Sequence, residues 1–210
     1  MRGYTVEMSA CLMLFTRYPE AGNTKTRLIP HLGAARAAEL QRWMTASMAR
    51  EMAALCPEIE RQIHFSGGGL SQMQDWLGRQ FTYLPQFAGG LGIRLHQAFM
   101  GNFRSGMKAV VAIGADCPEL RTCHFEQAFS QLQTHDVVLG PAEDGGYYLI
   151  GLSRPQSKLF ENISWGTGEV FEQTIAIANH LNLSIATLEK LRDVDRPEDL
   201  EVLNQMPICI

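Results

Sequence analysis

The sequence predicts an α/β domain built on a mostly parallel sheet with helices on both faces. Three observations predict it. Short apolar runs alternate with stripes of helical period, as parallel crossovers require. The 210 residues contain no internal repeat and no linker-like tract, so one domain is expected, spanning 8–206. The polar residues able to do chemistry concentrate just after the apolar runs, where open sheets of this class bind their ligands.

The elements follow in order. Ala10 to Phe15 is a continuous apolar run, the pattern of a strand buried on both faces. Ala34 to Leu55 carries Leu40, Met44, Met48, Met52 and Leu55 at helical spacing, a core-facing stripe that ends at Cys56 and Pro57. Arg61 to Phe65 reads as the second strand and Ser71 to Leu77 as a short helix. A strand over Phe81 to Leu84 and a helix over Leu91 to Phe103 come next. Ala109 to Ile113 is the clearest buried strand, backed by a helix from Cys123 to Leu132. Asp136–Leu139 and Tyr147–Leu152 are strands around a turn containing Asp144-Gly145, a strong hairpin signal. A helix over Thr167–Leu181, a strand over Ile185–Leu188 and a short helix over Pro197–Leu203 complete the chain.

Composition removes several function classes. Eighteen Lys and Arg against 22 Asp and Glu leave a formal charge of −4, unlike a globally basic nucleic-acid binder. No run reaches the roughly 18 apolar residues of a membrane span. Met1 to Ser9 lacks the apolar core of a signal peptide, so a cytoplasmic protein is expected. The five cysteines (Cys11, Cys56, Cys117, Cys123 and Cys209) form no C-x-x-C pair, and no H-E-x-x-H occurs among the six histidines. Neither a zinc site nor a disulfide framework is expected.

Five loops could carry chemistry, and each has a plain structural alternative. Thr16–Arg27 sets Arg17, Lys25 and Arg27 beside Gly22 where a helix begins, which suits a phosphate as well as a solvated basic loop. Its spacing is not that of a P-loop. Asp116, leaving the strongest strand in Gly114-Ala-Asp-Cys-Pro118, suits a hard divalent cation or a turn before proline. Gly140–Tyr148 holds Glu143, Asp144, two glycines and two tyrosines, more than a hairpin turn needs. In Asp193–Asp199, Asp195 with Glu198 fits a capping box nearly as well as a metal site. Ser164–Gly168 is a Gly-rich turn around Trp165 in which Thr167 could cap the following helix.

Together the five loops resemble a known pattern. Arg-Tyr-Pro-Glu-Ala-Gly-x-x-Lys-Thr-Arg-Leu28, Gly-Ala-Asp-Cys-Pro-Glu-Leu120, Gly-Pro-Ala-Glu-Asp-Gly-Gly-Tyr-Tyr148, Trp-Gly-Thr167 and Asp-Val-Asp195 are similar to a bacterial glycosyltransferase family once catalogued as a domain of unknown function. That family lies in the GT-A, or nucleotide-diphospho-sugar transferase, superfamily. More distant is a likeness to guanylyltransferases of cofactor metabolism. The resemblance runs from Cys11 to about Leu203.

It implies a GT-A-like (Rossmann-like) three-layer sandwich and transfer of a sugar from a nucleoside diphosphate to a small acceptor, assisted by Mg²⁺ or Mn²⁺. Arg17, Lys25, Arg27, Gly92 and Arg94 would bind the nucleotide and its phosphates. Asp116 and Asp195 would hold the metal. Glu143 or Asp144 would act as the base, and Gly145, Gly146, Tyr147, Trp165 and Thr167 would face sugar or acceptor. One position departs from the family stretch Gly-Asp-Leu-Gly-x-Arg: Gly90 stands where the acid usually does. Two alternatives remain, a nucleotidyltransferase releasing pyrophosphate and a non-catalytic nucleotide-sugar binder. Oligomeric state, donor base and acceptor are not legible.

Overall fold

The computed structural model describes residues 9–205, so both ends of the expected domain, and Cys209, lie outside the described residues. Seven strands form one sheet: β1 (Ala10–Arg17), β2 (Ile59–Ser66), β3 (Thr82–Pro85), β4 (Ala109–Gly114), β5 (Val137–Pro141), β6 (Tyr147–Leu152) and β7 (Ile185–Thr187). The spatial order is β3-β2-β1-β4-β6-β5-β7. All neighbouring pairs are parallel except those of β6, which runs antiparallel to both β4 and β5. The Asp-Gly hairpin is therefore what inserts an antiparallel strand into a parallel sheet.

Alternate residues of the strands feed two cores. Leu12, Leu14, Ile63, Val111 and Ile113 face one side, under the helices α2 (Ala34–Ala53), α3 (Leu70–Leu77) and α5 (Thr122–Gln131). Cys11, Met13, Val110, Ala112 and Ile150 face the other, under α4 (Leu91–Arg104) and α6 (Val170–His180). This is the three-layer α/β architecture that the patterning predicts. The methionine stripe is core: Leu40, Met44, Met48, Met52 and Leu55 are all buried. A third, smaller cluster joins Leu28, Leu40, Met44, Val194 and Val202, and so fastens the C-terminal segment to the loop after β1. Among the described residues, no helix is long and apolar enough to cross a membrane.

Two local expectations are corrected and a third is sharpened. The helix expected from Thr167 starts at Val170, because the Thr167 hydroxyl donates to Ser164 O and closes a turn ahead of the helix. The capping acid near Pro197 is Asp199, not Glu198. The 3₁₀ segment begins at Pro197, and its third residue, Asp199, accepts the Arg196 and Asp195 amides. The loop after β1 enters a 3₁₀ turn (Thr26–Leu28) before the short helix α1 (Ile29–Leu32), with Lys25 in the left-handed region at φ 49°.

Candidate functional site

The carboxyl ends of β1, β2 and β4 open into a cavity of about 560 Å³. Arg17, Lys25, Arg27 and Arg94 supply its cations, and Phe15, Leu91 and Ala115 its apolar wall. A second cavity, about 400 Å³, lies under the hairpin turn and is lined by Glu143, Asp144, Thr167, Asp193 and Asp199 among others. Arg27 and Asp195 line both and form their shared wall.

The loop after β1 is folded upon itself. Gly22, at φ 89°, permits the turn. Arg17 Nη1 donates to Asn23 O at 3.2 Å, and the Asn23 amide donates to Glu20 at 2.9 Å. Lys25 then turns inward. Its side chain is 2% exposed, and Nζ donates to Val194 O at 2.5 Å and to Asp116 Oδ1 at 2.8 Å and lies 3.8 Å from Asp195 Oδ1. Arg27 Nη1 pairs with Asp195 Oδ2 at 2.5 Å. The two aspartates expected to share a cation thus converge on one buried ammonium.

A strap after β7 brings Asp195 there. Tyr148 Oη donates to Glu189 O, Leu191 N to Pro141 O, and Arg192 N to the Glu119 carboxylate. Val194 N donates to Asp116 O at 2.8 Å. Val194 is fully buried, and alternation along the extended strap turns Asp193 and Asp195 away from it, toward the cavity. The charge that results is visible at Asp193. Burial, and then the carboxylates of Asp144, Asp199 and Asp116, push its carboxyl up to about 6.

The hairpin turn is shaped by backbone approach. Gly145, at φ 86°, lies against the Gly168 backbone, where a Cβ would collide, and Phe171 N donates to Gly145 O. Asp144 Oδ1 accepts the Gly146 amide at 2.7 Å, and the residue lines the second cavity. Among the described residues Glu143 is tied by its backbone, through its amide to Leu191 O. Cys117 is a packing residue: burial pushes its thiol up to about 12.

Of the residues singled out in the sequence, Arg17, Lys25, Arg27, Arg94 and Asp116 gather at the first cavity, and Glu143, Asp144 and Thr167 at the second. Asp195 belongs to both. Tyr147 and Trp165 pack edge to face, ring centroids 6.2 Å apart, against the core under α4 and α6. Gly92 is buried where α4 meets Trp165 and the Phe160 carbonyl, with no room for a Cβ. Gly145 and Gly146 form the turn behind Asp144. Sequence reasoning missed Gln86, Arg192, Arg196 and Asp199 as cavity-lining residues, and quoted Asp193 without giving it a role. The two-residue spacing around the apolar Val194 is the signal that could have found Asp193.

The donor set suits a hard divalent cation. Asp116 and Asp195 offer carboxylate oxygens on facing loops, and a divalent cation there would have to share them with the Lys25 ammonium, 2.8 and 3.8 Å away. Among the described residues no group of three or more His, Cys, Asp or Glu converges on a point, so this is not an all-protein cage. Two carboxylates completed by water and substrate phosphate are what Mg²⁺ commonly accepts.

A family profile described as "Uncharacterized protein conserved in bacteria (DUF2064)" matches residues 48–167. A crystal structure of a provisionally named nucleotide-diphospho-sugar transferase from Desulfovibrio desulfuricans G20 superposes with a TM-score of 0.88. It is 33% identical over 94% of this chain and 87% of that one. Two further structures share the fold at low identity. One is glucosyl-3-phosphoglycerate synthase from Mycobacterium tuberculosis, in complex with Mn²⁺, UDP and glucosyl-3-phosphoglycerate (TM-score 0.57, 13% identity, 94% of this chain and 75% of that one). The other is a CMP:2-keto-3-deoxy-manno-octonic acid synthetase complexed with CTP (TM-score 0.60, 11% identity, 93% and 96%). No curated protein matches the sequence.

Proposed function

This chain belongs to the DUF2064 family, and we propose that it transfers a sugar from a nucleoside diphosphate donor to a small acceptor. One observation carries the reading: a cation-lined cavity and a carboxylate-lined cavity share a wall made of Arg27 and Asp195. A diphosphate leaving group and an acceptor hydroxyl need those opposite environments, side by side.

In this reading Arg17, Arg94 and Arg27 bind the donor's phosphates, and Lys25 adds its charge at the inner end. Their attraction grows as the leaving diphosphate gains charge, so it favours the transition state over the bound donor. Asp116 and Asp195 would hold Mg²⁺ or Mn²⁺, which when bound supplies further neutralisation of the leaving diphosphate. Glu143 or Asp144 takes the acceptor hydroxyl's proton. Thr167 faces the acceptor. Gly145, Gly146, Tyr147 and Trp165 shape the turn that presents these groups, and Gly92 seats α4 so that Arg94 reaches the nucleotide. A cytoplasmic location goes with nucleotide-sugar chemistry.

A specific observation favours one rival. Arg192 and Arg196 line the second cavity, so cationic side chains stand on both sides of the shared wall. A nucleotidyltransferase, which joins a nucleoside triphosphate to a phosphorylated substrate, would use that arrangement. The products decide between the two. The protein is supplied with nucleotide sugars plus acceptor candidates, and separately with nucleoside triphosphates plus sugar phosphates, with and without Mn²⁺. Nucleoside diphosphate release, including slow donor hydrolysis, supports glycosyl transfer. Robust pyrophosphate formation replaces it with the rival. Tight nucleotide-sugar binding with neither product would mean a non-catalytic binder.

A further inference from the structure

Gln86, the residue after β3, uses its whole side chain where the carboxyl ends of three strands meet. Its Nε2 donates to Thr16 O of β1 and to His64 O of β2, both at 2.9 Å. Its backbone amide donates to Phe65 O at 2.8 Å. The remaining polar atom, Oε1, accepts Arg94 Nη1 at 3.1 Å. Arg94 is held on a second edge, where Nε donates to Gly89 O at 2.7 Å. Two nitrogens of the guanidinium are thus fixed by neutral oxygens, and Nη2 is left for a ligand in the cation-lined cavity that both residues border.

We propose that Gln86 is a positioning residue that aims Arg94 at a diphosphate without neutralising it. The assignment rests on the donor reading of that cavity. Its physical core is the difference between an amide and a carboxylate. Either could hold a guanidinium in place, but a carboxylate would cancel the charge that the phosphate needs. A carboxylate at 86 would also face the Thr16 and His64 carbonyl oxygens without a proton to donate, so only an amide satisfies all three partners.

Gly90 belongs to the same logic. It is the N-cap of α4, its φ is an ordinary −69°, and a Cβ there would meet open space. Nothing in the backbone demands glycine. An acid at 90 would stand four residues before Arg94 on one helix face, within ion-pairing reach. Its absence leaves the orientation of Arg94 to Gln86 and Gly89 O.

The test is a calorimetric titration with UDP, GDP and inorganic pyrophosphate, using uridine and guanosine as controls. Arg94→Met should weaken the diphosphates about tenfold or more and leave the nucleosides unchanged. Gln86→Leu should weaken the diphosphates several-fold with the same selectivity. The double variant should bind like Arg94→Met alone, since residues acting through one another are not additive. Gly90→Asp, which keeps every contact of Gln86, should lower diphosphate affinity at low salt; it preserves the test should Gln86→Leu fold poorly. Unchanged diphosphate binding in Gln86→Leu and Gly90→Asp would overturn the assignment, as would multiplying factors in the double variant. Equal losses for nucleosides and diphosphates would mean that Gln86 only holds the loop together. If the wild type binds no diphosphate, the donor reading falls, and this assignment with it.

Discussion

The two cavities are charged in opposite senses, and each orients its charges with the complementary end of the peptide group. On the cation side, Arg17 and Arg94 donate to main-chain carbonyls of Asn23 and Gly89. On the carboxylate side, Asp144 and Asp199 accept the main-chain amides of Gly146, Asp195 and Arg196. Peptide dipoles aim a charge without cancelling it, so each side keeps its charge for a ligand. Full charges meet at and beside the shared wall, where Lys25 and Arg27 face Asp116 and Asp195, and at the rim of the second cavity, where Arg192 lies 3.6 Å from Glu119. The lesson is a division of labour: neutral groups position the reading residues, and ion pairs hold the partition.

The largest test of that division is kinetic. Glu143→Gln and Asp144→Asn alter only the carboxylate side, so they should leave nucleoside diphosphate affinity unchanged. The variant that removes the base should lower kcat by about 10²–10⁴. Steady-state rates alongside a binding titration check both halves. A comparable loss of diphosphate affinity would break the separation of the two cavities.

The next concerns what lies beneath the cation side. His64 is buried, its ring stacked on Phe15 at 4.9 Å, and burial holds its imidazole down to about 4. The unfolded chain, with an ordinary histidine value near 6.5, takes up a proton first as the pH falls. Stability from this group is therefore complete above about pH 6.5 and lost progressively toward pH 4, by up to about 3 kcal/mol. Urea unfolding across that range should show the slope. His64→Phe removes the titrating ring and should flatten it, while Gln62 Oε1 still accepts Asn102 Nδ2.

The wall itself should respond asymmetrically. Asp116→Ala takes the nearest carboxylate from a buried ammonium, leaving it Val194 O and the more distant Asp195, and should cost roughly 2–3 kcal/mol, somewhat below the value for a pair buried on both sides. Lys25→Met leaves carboxylates that are 49% and 33% exposed and can take up water, so it should cost less. Denaturant midpoints of the two variants order the effects. The reverse order would mean that Lys25 is held by its stem and not by the acids. The smallest effect belongs to Arg27→Ala. With the side chain 58% exposed, its pair with Asp195 should contribute under about 1 kcal/mol to stability, measured by the same unfolding.

Much of the fold was legible because it is written in short-range patterns. The alternation of Leu12 and Leu14 with Cys11 and Met13 predicts burial on two faces, and the step from Met44 to Met48 to Met52 predicts one helix face. Asp144-Gly145 predicts the hairpin from the conformational freedom of glycine alone. Each signal spans a few residues, the range over which a side chain constrains its own backbone. Which loops matter was legible for the same reason, since charged residues follow the apolar runs directly.

What the sequence could not determine depends on partners far along the chain. Lys25 reads as a phosphate ligand from its own loop. That its ammonium lies between Asp116 and Asp195 follows from a strap 169 residues away. Gly92 reads as a nucleotide residue, and its burial against Trp165 depends on how α4 meets the turn before α6. Glu198 and Asp199 are equivalent capping acids on paper, and the choice fell to the residue at which the helix began. Gln86 carries no motif at all, because its role exists only where β1, β2 and α4 converge. Local patterns determined the elements and the loops that could matter. Only tertiary structure decided which charges would face a ligand and which would face each other, because electrostatic partners are chosen by distance in space.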